Sequence, residues 1–281
     1  MALLSRKMVL SVLHSATALN LMALATLLLA VALGLRTEPR KDRFFWLSVI
    51  AALVGPVLWV LASFTPVWRT DFGATLWVII AATMATYLLT VMVEEDSWRL
   101  VPILSPAMLV LGILAVIWTS KEGPKLLGHE PGTLVTVHII ASVVTYGLVT
   151  IAAAAALAAL LRERALRTKR PTALVRALPA VTTCDRQVVR VLIMSEVVLG
   201  TGLISGIALD FIATGNLLTF DHKNILTVTA FILIGILLLV HFRSGVKGRK
   251  AARWVLAAYL LLTLGYPGVK FVKEVLIGLN G

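Results

Sequence analysis

Eight apolar runs, each near the roughly 20 residues needed to cross a bilayer, leave this chain few folds to choose from. They are Met8–Leu35, Phe44–Phe64, Phe72–Val93, Leu100–Thr119, Thr133–Leu161, Val188–Ala213, Ile225–Phe242 and Trp254–Ile277. None alternates apolar with polar residues, as a half-buried strand would. Backbone in lipid must satisfy its own hydrogen bonds, which limits spanning structure to helices or closed barrels. The unbroken runs decide for helices. The expected fold is all-α: a polytopic membrane helix bundle of about eight transmembrane helices, one integral-membrane domain over residues 1–281.

Composition agrees. Of the residues, 59% are hydrophobic and 14% charged, and mean hydropathy is +0.95. A water-soluble domain has about a quarter of its residues charged. The first run, Met8–Leu35, follows Arg6 and Lys7 as a signal peptide would, but it is longer than a signal core and reads as a first span.

The net charge of +12 would suggest nucleic acid in a soluble chain. Here the bases lie in loops and mark one side of a membrane instead. One loop holds Arg162, Arg164, Arg167, Lys169, Arg170, Arg176 and Arg186, and another Arg243, Lys247, Arg249, Lys250 and Arg253. The opposite loops carry only scattered bases, such as Arg69, Lys121, Lys125 and Lys223. Both termini are therefore expected outside. The acidic loop Glu94-Glu95-Asp96 then falls inside, where acids count for little in orientation. The long basic loop should prolong the fifth helix beyond the membrane, turn at Pro171 and Pro179, and lie against anionic headgroups. Membrane lipid is the expected partner, and nucleic acid is not.

One cysteine, Cys184, excludes an internal disulfide and any CxxC or CxxCH motif. No Walker A, HExxH or GxSxG sequence occurs. Any chemistry must come from polar residues inside the spans, which are costly there and functional candidates by default.

His138, Ser142, Thr145 and Tyr146 share one face of the fifth helix by their spacing. Two readings of His138 stay open: a hydrogen bond to a neighbouring helix, or an axial ligand to haem iron. Asp221-His222-Lys223-Asn224 precedes the seventh span, where Asp221 or Asn224 suits an N-cap. A functional reading gives Lys223 an anionic arm to hold and makes His222 an iron ligand or gate. Glu196 is read as a neutral carboxyl or as the partner of a neighbour such as His241. His14 lies in the first span. Gly202-x-x-x-Gly206 reads as a close packing surface. Thr83, Thr86, Tyr87 and Thr90 read as packing, and Trp59, Trp68 and Trp77 as an interfacial aromatic belt.

In order along the chain, several segments resemble the CcsA-type cytochrome c assembly family, especially its shorter HemX- and YpjD-like branch. Val137-His138 with Ser142 and Tyr146 is similar to its outer-end histidine helix. Phe220-Asp221-His222-Lys223 stands where its Trp-Asp-x-Lys segment does. Val240-His241-Phe242-Arg243 with Gly245, Gly248 and Arg249 resembles its helix end, and Tyr266, Phe271-Val272 and Glu274 its closing segment.

The resemblance implies a bacterial inner-membrane protein that binds or moves haem during cytochrome maturation, with non-covalent b-type haem. It makes His138 a ligand and brings cytochrome c maturation or other membrane assembly proteins as partners. Two features depart from the family. Leu217–Asn224 contains no tryptophan, and Tyr266–Gly281 contains no histidine. A haem-binding or accessory role, rather than haem-lyase activity, matches those departures, with His222 available as a replacement ligand. The alternatives are a small-solute or ion transporter built around Glu196, and a structural subunit without a ligand.

Overall fold

The computed structural model describes residues 2–35, 40–63, 68–69, 71–94, 96–119, 125–126, 132–215, 222–245 and 248–276, without the side chains of 2–16, 68–69, 125–126, 213–214 and 222–223. In chain order its helices are α1 (Ala2–Gly34), α2 (Arg43–Ser63), α3 (Phe72–Val93), α4 (Val101–Trp118), α5 (Thr133–Thr168), α6 (Ala173–Ala177), α7 (Val181–Thr214), α8 (His222–Ser244), α9 (Arg249–Thr263) and α10 (Val269–Phe271). Among the described residues, eight helical segments are long and apolar enough to cross a membrane. The membrane bundle expected from the sequence is therefore present.

Consecutive long helices alternate in direction. Trp68–Arg69 (β1) and Lys125–Leu126 (β2) pair antiparallel between the α2–α3 and α4–α5 connections. That end is called the hairpin end below, and the opposite one the basic end. At the hairpin end the last segment of the chain grips the start of α3. Glu274 Oε2 accepts from the Phe72 amide at 2.6 Å, and Lys270 Nζ donates to Thr75 Oγ1 at 2.7 Å. Phe271 packs against Phe72 and Trp118, each with ring centroids 5.4 Å away.

α5 lies at the centre, against α3, α7 and α9. Its middle is Ile151 followed by five alanines, and Ile151, Ala152 and Ala155 are fully buried. Side chains this small let neighbouring helices approach closely, the usual basis of packing where lipid gives no hydrophobic drive. At 36 residues and 1.5 Å per residue, α5 is about 54 Å long, well beyond a hydrocarbon core of about 30 Å. It ends at Lys169, whose φ of 54° is left-handed, and the chain returns through α6. Arg162 fastens this return: its guanidinium donates to the carbonyls of Arg176, Leu178 and Pro179. The expected prolongation of the fifth helix is thus observed, but one of its bases caps carbonyls instead of facing headgroups.

Helix α7 starts at Val181, earlier than the apolar run predicts, and its first turns are held by Cys184, Gln187 and Arg190. Cys184 is fully buried, and Arg190 pairs with Glu94. Gln187 donates to Ser97. These contacts hold the acidic turn after α3 against α7.

The aromatic-belt reading fails for two of its three tryptophans. Trp59 and Trp77 are 2% and 0% exposed, stacked at 5.6 Å. Their indole N–H groups both donate to Asn20 Oδ1 of α1, at 2.6 and 3.1 Å. A polar oxygen on α1 draws both indoles inward, where a belt residue would face the headgroups. Trp68 keeps its side chain outside the described set. The packing reading of the α3 stripe holds: Tyr87 Oη donates to the carbonyls of Ser97 and Trp98.

The last span is not a plain helix. α9 passes into two π-helical turns, Leu264–Gly268 and Val272–Leu276, on either side of α10. Pro267 lies in the first. It has no amide hydrogen to offer the helix ladder, which accounts for a local widening there.

Candidate functional site

His138 stands in the second turn of α5, at the hairpin end. Its ring meets α7 at Gly202, Ser205 and Gly206. Nδ1 lies 3.0 Å from the Gly202 carbonyl and 3.2 Å from Ser205 Oγ. Ser205 Oγ itself donates to that carbonyl at 2.9 Å. A carbonyl can only accept, and the serine hydrogen is already committed to it. Nδ1 is therefore the donor in this contact. Gly206 makes room for the ring: a Cβ there would stand 3.0 Å from His138 Cε1. Gly206 alone of the Gly-x-x-x-Gly pair yields space to the imidazole, since a Cβ at Gly202 would meet only Ala141, at 3.6 Å. The hydrogen-bonding reading of His138 is correct.

Beside this ring lies a cavity of about 310 Å³, walled by α3, α5, α7, α8 and the last span. His138, Ser142, Thr145 and Tyr146 all line it, so the stripe read from spacing is one wall of one site. Tyr146 is committed elsewhere: its hydroxyl lies 3.2 Å from Thr263 Oγ1, and its ring packs near Tyr259. It shapes the cavity. Thr145 is 2% exposed, and its Oγ1 has no hydrogen-bond partner among the described residues. At the rim, Asn224 Nδ2 donates to Asp210 Oδ2 at 3.1 Å, closing α7 onto the start of α8.

The remaining candidates divide. Asp221 lies outside the described residues, as do the side chains of His14, His222 and Lys223. Asn224 is not an N-cap: it is the third residue of α8, and its side chain reaches across to Asp210. His241 is at the far end of α8, edge-on to Phe242 at 5.6 Å. Glu196 is not joined to it. Its Oε1 instead faces α8 at Gly235, where an added Cβ would come within 3.1 Å. Its Oε2 is buried with no hydrogen-bond partner among the described residues.

Sequence reading missed Asp210 and the cavity role of Tyr266. Asp210 had a signal: it falls four residues after Gly206, on the same face of α7. Tyr266 had none, because a π-helical turn shifts the register from which a helical face is counted.

Among the described residues no group of three or more His, Cys, Asp or Glu side chains converges as a metal site would. Over residues 2–277 the chain matches the family described as cytochrome C assembly protein. It belongs to that family.

Two relatives carry the comparison further. An uncharacterized 28.8 kDa protein in the nifR3-like 5' region of Azospirillum brasilense is 46% identical over 238 residues, 85% of this chain and 88% of that one. Inner membrane protein YpjD of Escherichia coli K12 is 24% identical over 200 residues, 70% of this chain and 73% of that one. No solved structure matches. With eight membrane-length helices and an inner-membrane relative, the chain is a multi-pass inner-membrane protein of the cytochrome c assembly family.

Proposed function

We propose that this protein binds b-type haem non-covalently in the His138 cavity and serves cytochrome c maturation or the assembly of another respiratory complex. The reading places the hairpin end outside, with both termini. Its partners are membrane proteins of the maturation machinery. Haem would bring most of its iron's ligands with it, and His138 would be the residue of this chain to hold it.

The observation that carries the reading is the placement of His138: Nδ1 bonds the Gly202 carbonyl and Ser205 Oγ, and the residue lines the cavity. The fit has two further supports. Apolar side chains such as Ile79, Leu199, Leu203 and Leu262 form part of the wall. Gly206 keeps the imidazole face uncrowded by a methyl group.

Detergent-purified protein should take up haemin and develop a Soret band. His138→Ala should lose that band or shift it. A wild-type protein that stays colourless after haemin is added would sink the reading.

A further inference from the structure

Among the described residues two tyrosines line the His138 cavity, and they differ in their commitments. Tyr146 engages Thr263 with its hydroxyl. Tyr266 lies in the first π-helical turn of the last span and is 39% exposed, between the buried Gly265 and Pro267. Its hydroxyl lies beside Thr75 of α3. Thr75 gives its own hydrogen to the Asp71 carbonyl at 3.1 Å and takes one from Lys270 Nζ at 2.7 Å. A hydroxyl so engaged has no hydrogen left for Tyr266, whose oxygen keeps its lone pairs.

Depth along the bundle puts that oxygen level with His138. α3 and α5 both start at the hairpin end, and Gly147 of α5 faces Thr83 and Thr86 of α3. Nine residues back toward the hairpin end, Gly147 leads to His138, while Thr83 and Thr86 lead to Ala74 and Trp77. Both helices rise by the same step per residue, so Thr75 stands within about one turn of the imidazole's depth. The Tyr266 oxygen beside Thr75 shares that level. A nitrogen base from α5 and an oxygen base from the last span therefore line one cavity at one depth. Lys270, which also faces Glu274 at 3.7 Å, brings a positive charge behind Thr75, where it offsets negative charge on a phenol oxygen.

We propose that Tyr266 is the second iron ligand of the site, its phenolate oxygen meeting the metal across the cavity from His138. This rests on the haem reading above and adds to it an oxidation state, because an anionic oxygen favours ferric over ferrous iron. As the Tyr266 oxygen bonds the iron, its proton joins the hydroxide that haemin carries in water and leaves as a water molecule. Atoms and charge balance, and no electron moves.

The test uses the full chain in detergent, as wild type, Tyr266→Phe and Tyr266→His, each titrated with haemin and each melted without ligand. Resonance Raman spectra of the ferric wild type should carry phenolate ring bands, which gain intensity only when a tyrosine oxygen is bonded to iron. Tyr266→Phe should lose those bands and hold ferric haemin about tenfold more weakly, a loss that even the outer partners of metal ligands can cause. After dithionite reduction its affinity should stay near that of wild type. Tyr266→His should restore tight binding, with the low-spin spectrum of two imidazoles. Ligand-free Tyr266→Phe should melt with the wild type, since Thr75 keeps its bonds to Asp71 and Lys270.

A wild type that binds haemin without phenolate bands overturns the inference and leaves the haem reading standing. So does a ferric Tyr266→Phe spectrum identical to wild type. If Tyr266→Phe melts lower and binds poorly, Tyr266→His decides: a low-spin spectrum upholds the inference and its absence overturns it. A wild type that takes up no haemin removes both proposals together.

Discussion

At the scale of single residues, most hydrogen-bonding side chains inside this bundle have a named partner, while Thr83, Thr145 and Glu196 each keep a buried oxygen without one among the described residues. Asn20 is the clearest case: one amide oxygen takes the indole hydrogens of Trp59 and Trp77. Replacing it with leucine leaves two buried donors without an acceptor, at about 1–3 kcal/mol each. Asn20→Leu should therefore lower the melting temperature in detergent, and an unchanged melt would show that the indoles find other partners. The sequence let part of this be read. Spacing alone put His138, Ser142, Thr145 and Tyr146 on one face of a helix, and the cavity lies along that face. The residues that answer them on α7 were not readable as such. Which faces of two apolar helices meet is set by packing across the bundle, and helix periodicity carries no record of it. The tryptophans were misread for the same reason, since an indole near a helix end looks identical in sequence whether it faces headgroups or an asparagine on another helix.

At the scale of elements, the long helices succeed or fail at their ends. Arg162 joins the projecting end of α5 to the return through α6 by donating to the carbonyls of Arg176, Leu178 and Pro179. Backbone carbonyls at a turn need such donors or water. Arg162→Ala should loosen the stretch from Lys169 to Ala180, measured as faster tryptic cleavage there while the membrane core stays intact. Cleavage at the wild-type rate would mean that packing of Leu178, itself fully buried, suffices. Here the sequence foretold the element but not its fastening. A run of arginines after an apolar helix says where the membrane stops, and says nothing of which one turns back to cap its own chain. The π-helical turns around Pro267 were equally hidden, because proline in a spanning run marks a disturbance without specifying its form.

At the scale of the whole molecule, the sequence was most informative. Eight apolar runs became eight membrane-length helices, since the demand of lipid on backbone hydrogen bonds admits so few solutions. Orientation is the remaining question at this scale, and the fold offers a clean way to ask it. The one cysteine, Cys184, is fully buried, so an added thiol can be labelled over little background. With both termini outside, a cysteine at exposed Gly132 should react with an impermeant maleimide in intact cells. One at exposed Lys169 should react only after lysis. The opposite pattern would invert the topology, and with it the side on which the His138 cavity opens.

The stacked pair of tryptophans carries a consequence of its own. Two indoles 5.6 Å apart, bound to one oxygen and belonging to neighbouring helices, share their electronic excitation. The chain thereby holds a built-in optical gauge of how α1, α2 and α3 sit together. Because the pair is not part of the His138 cavity, assembly of the first three helices can be followed by its near-ultraviolet dichroism whether or not any pigment has arrived.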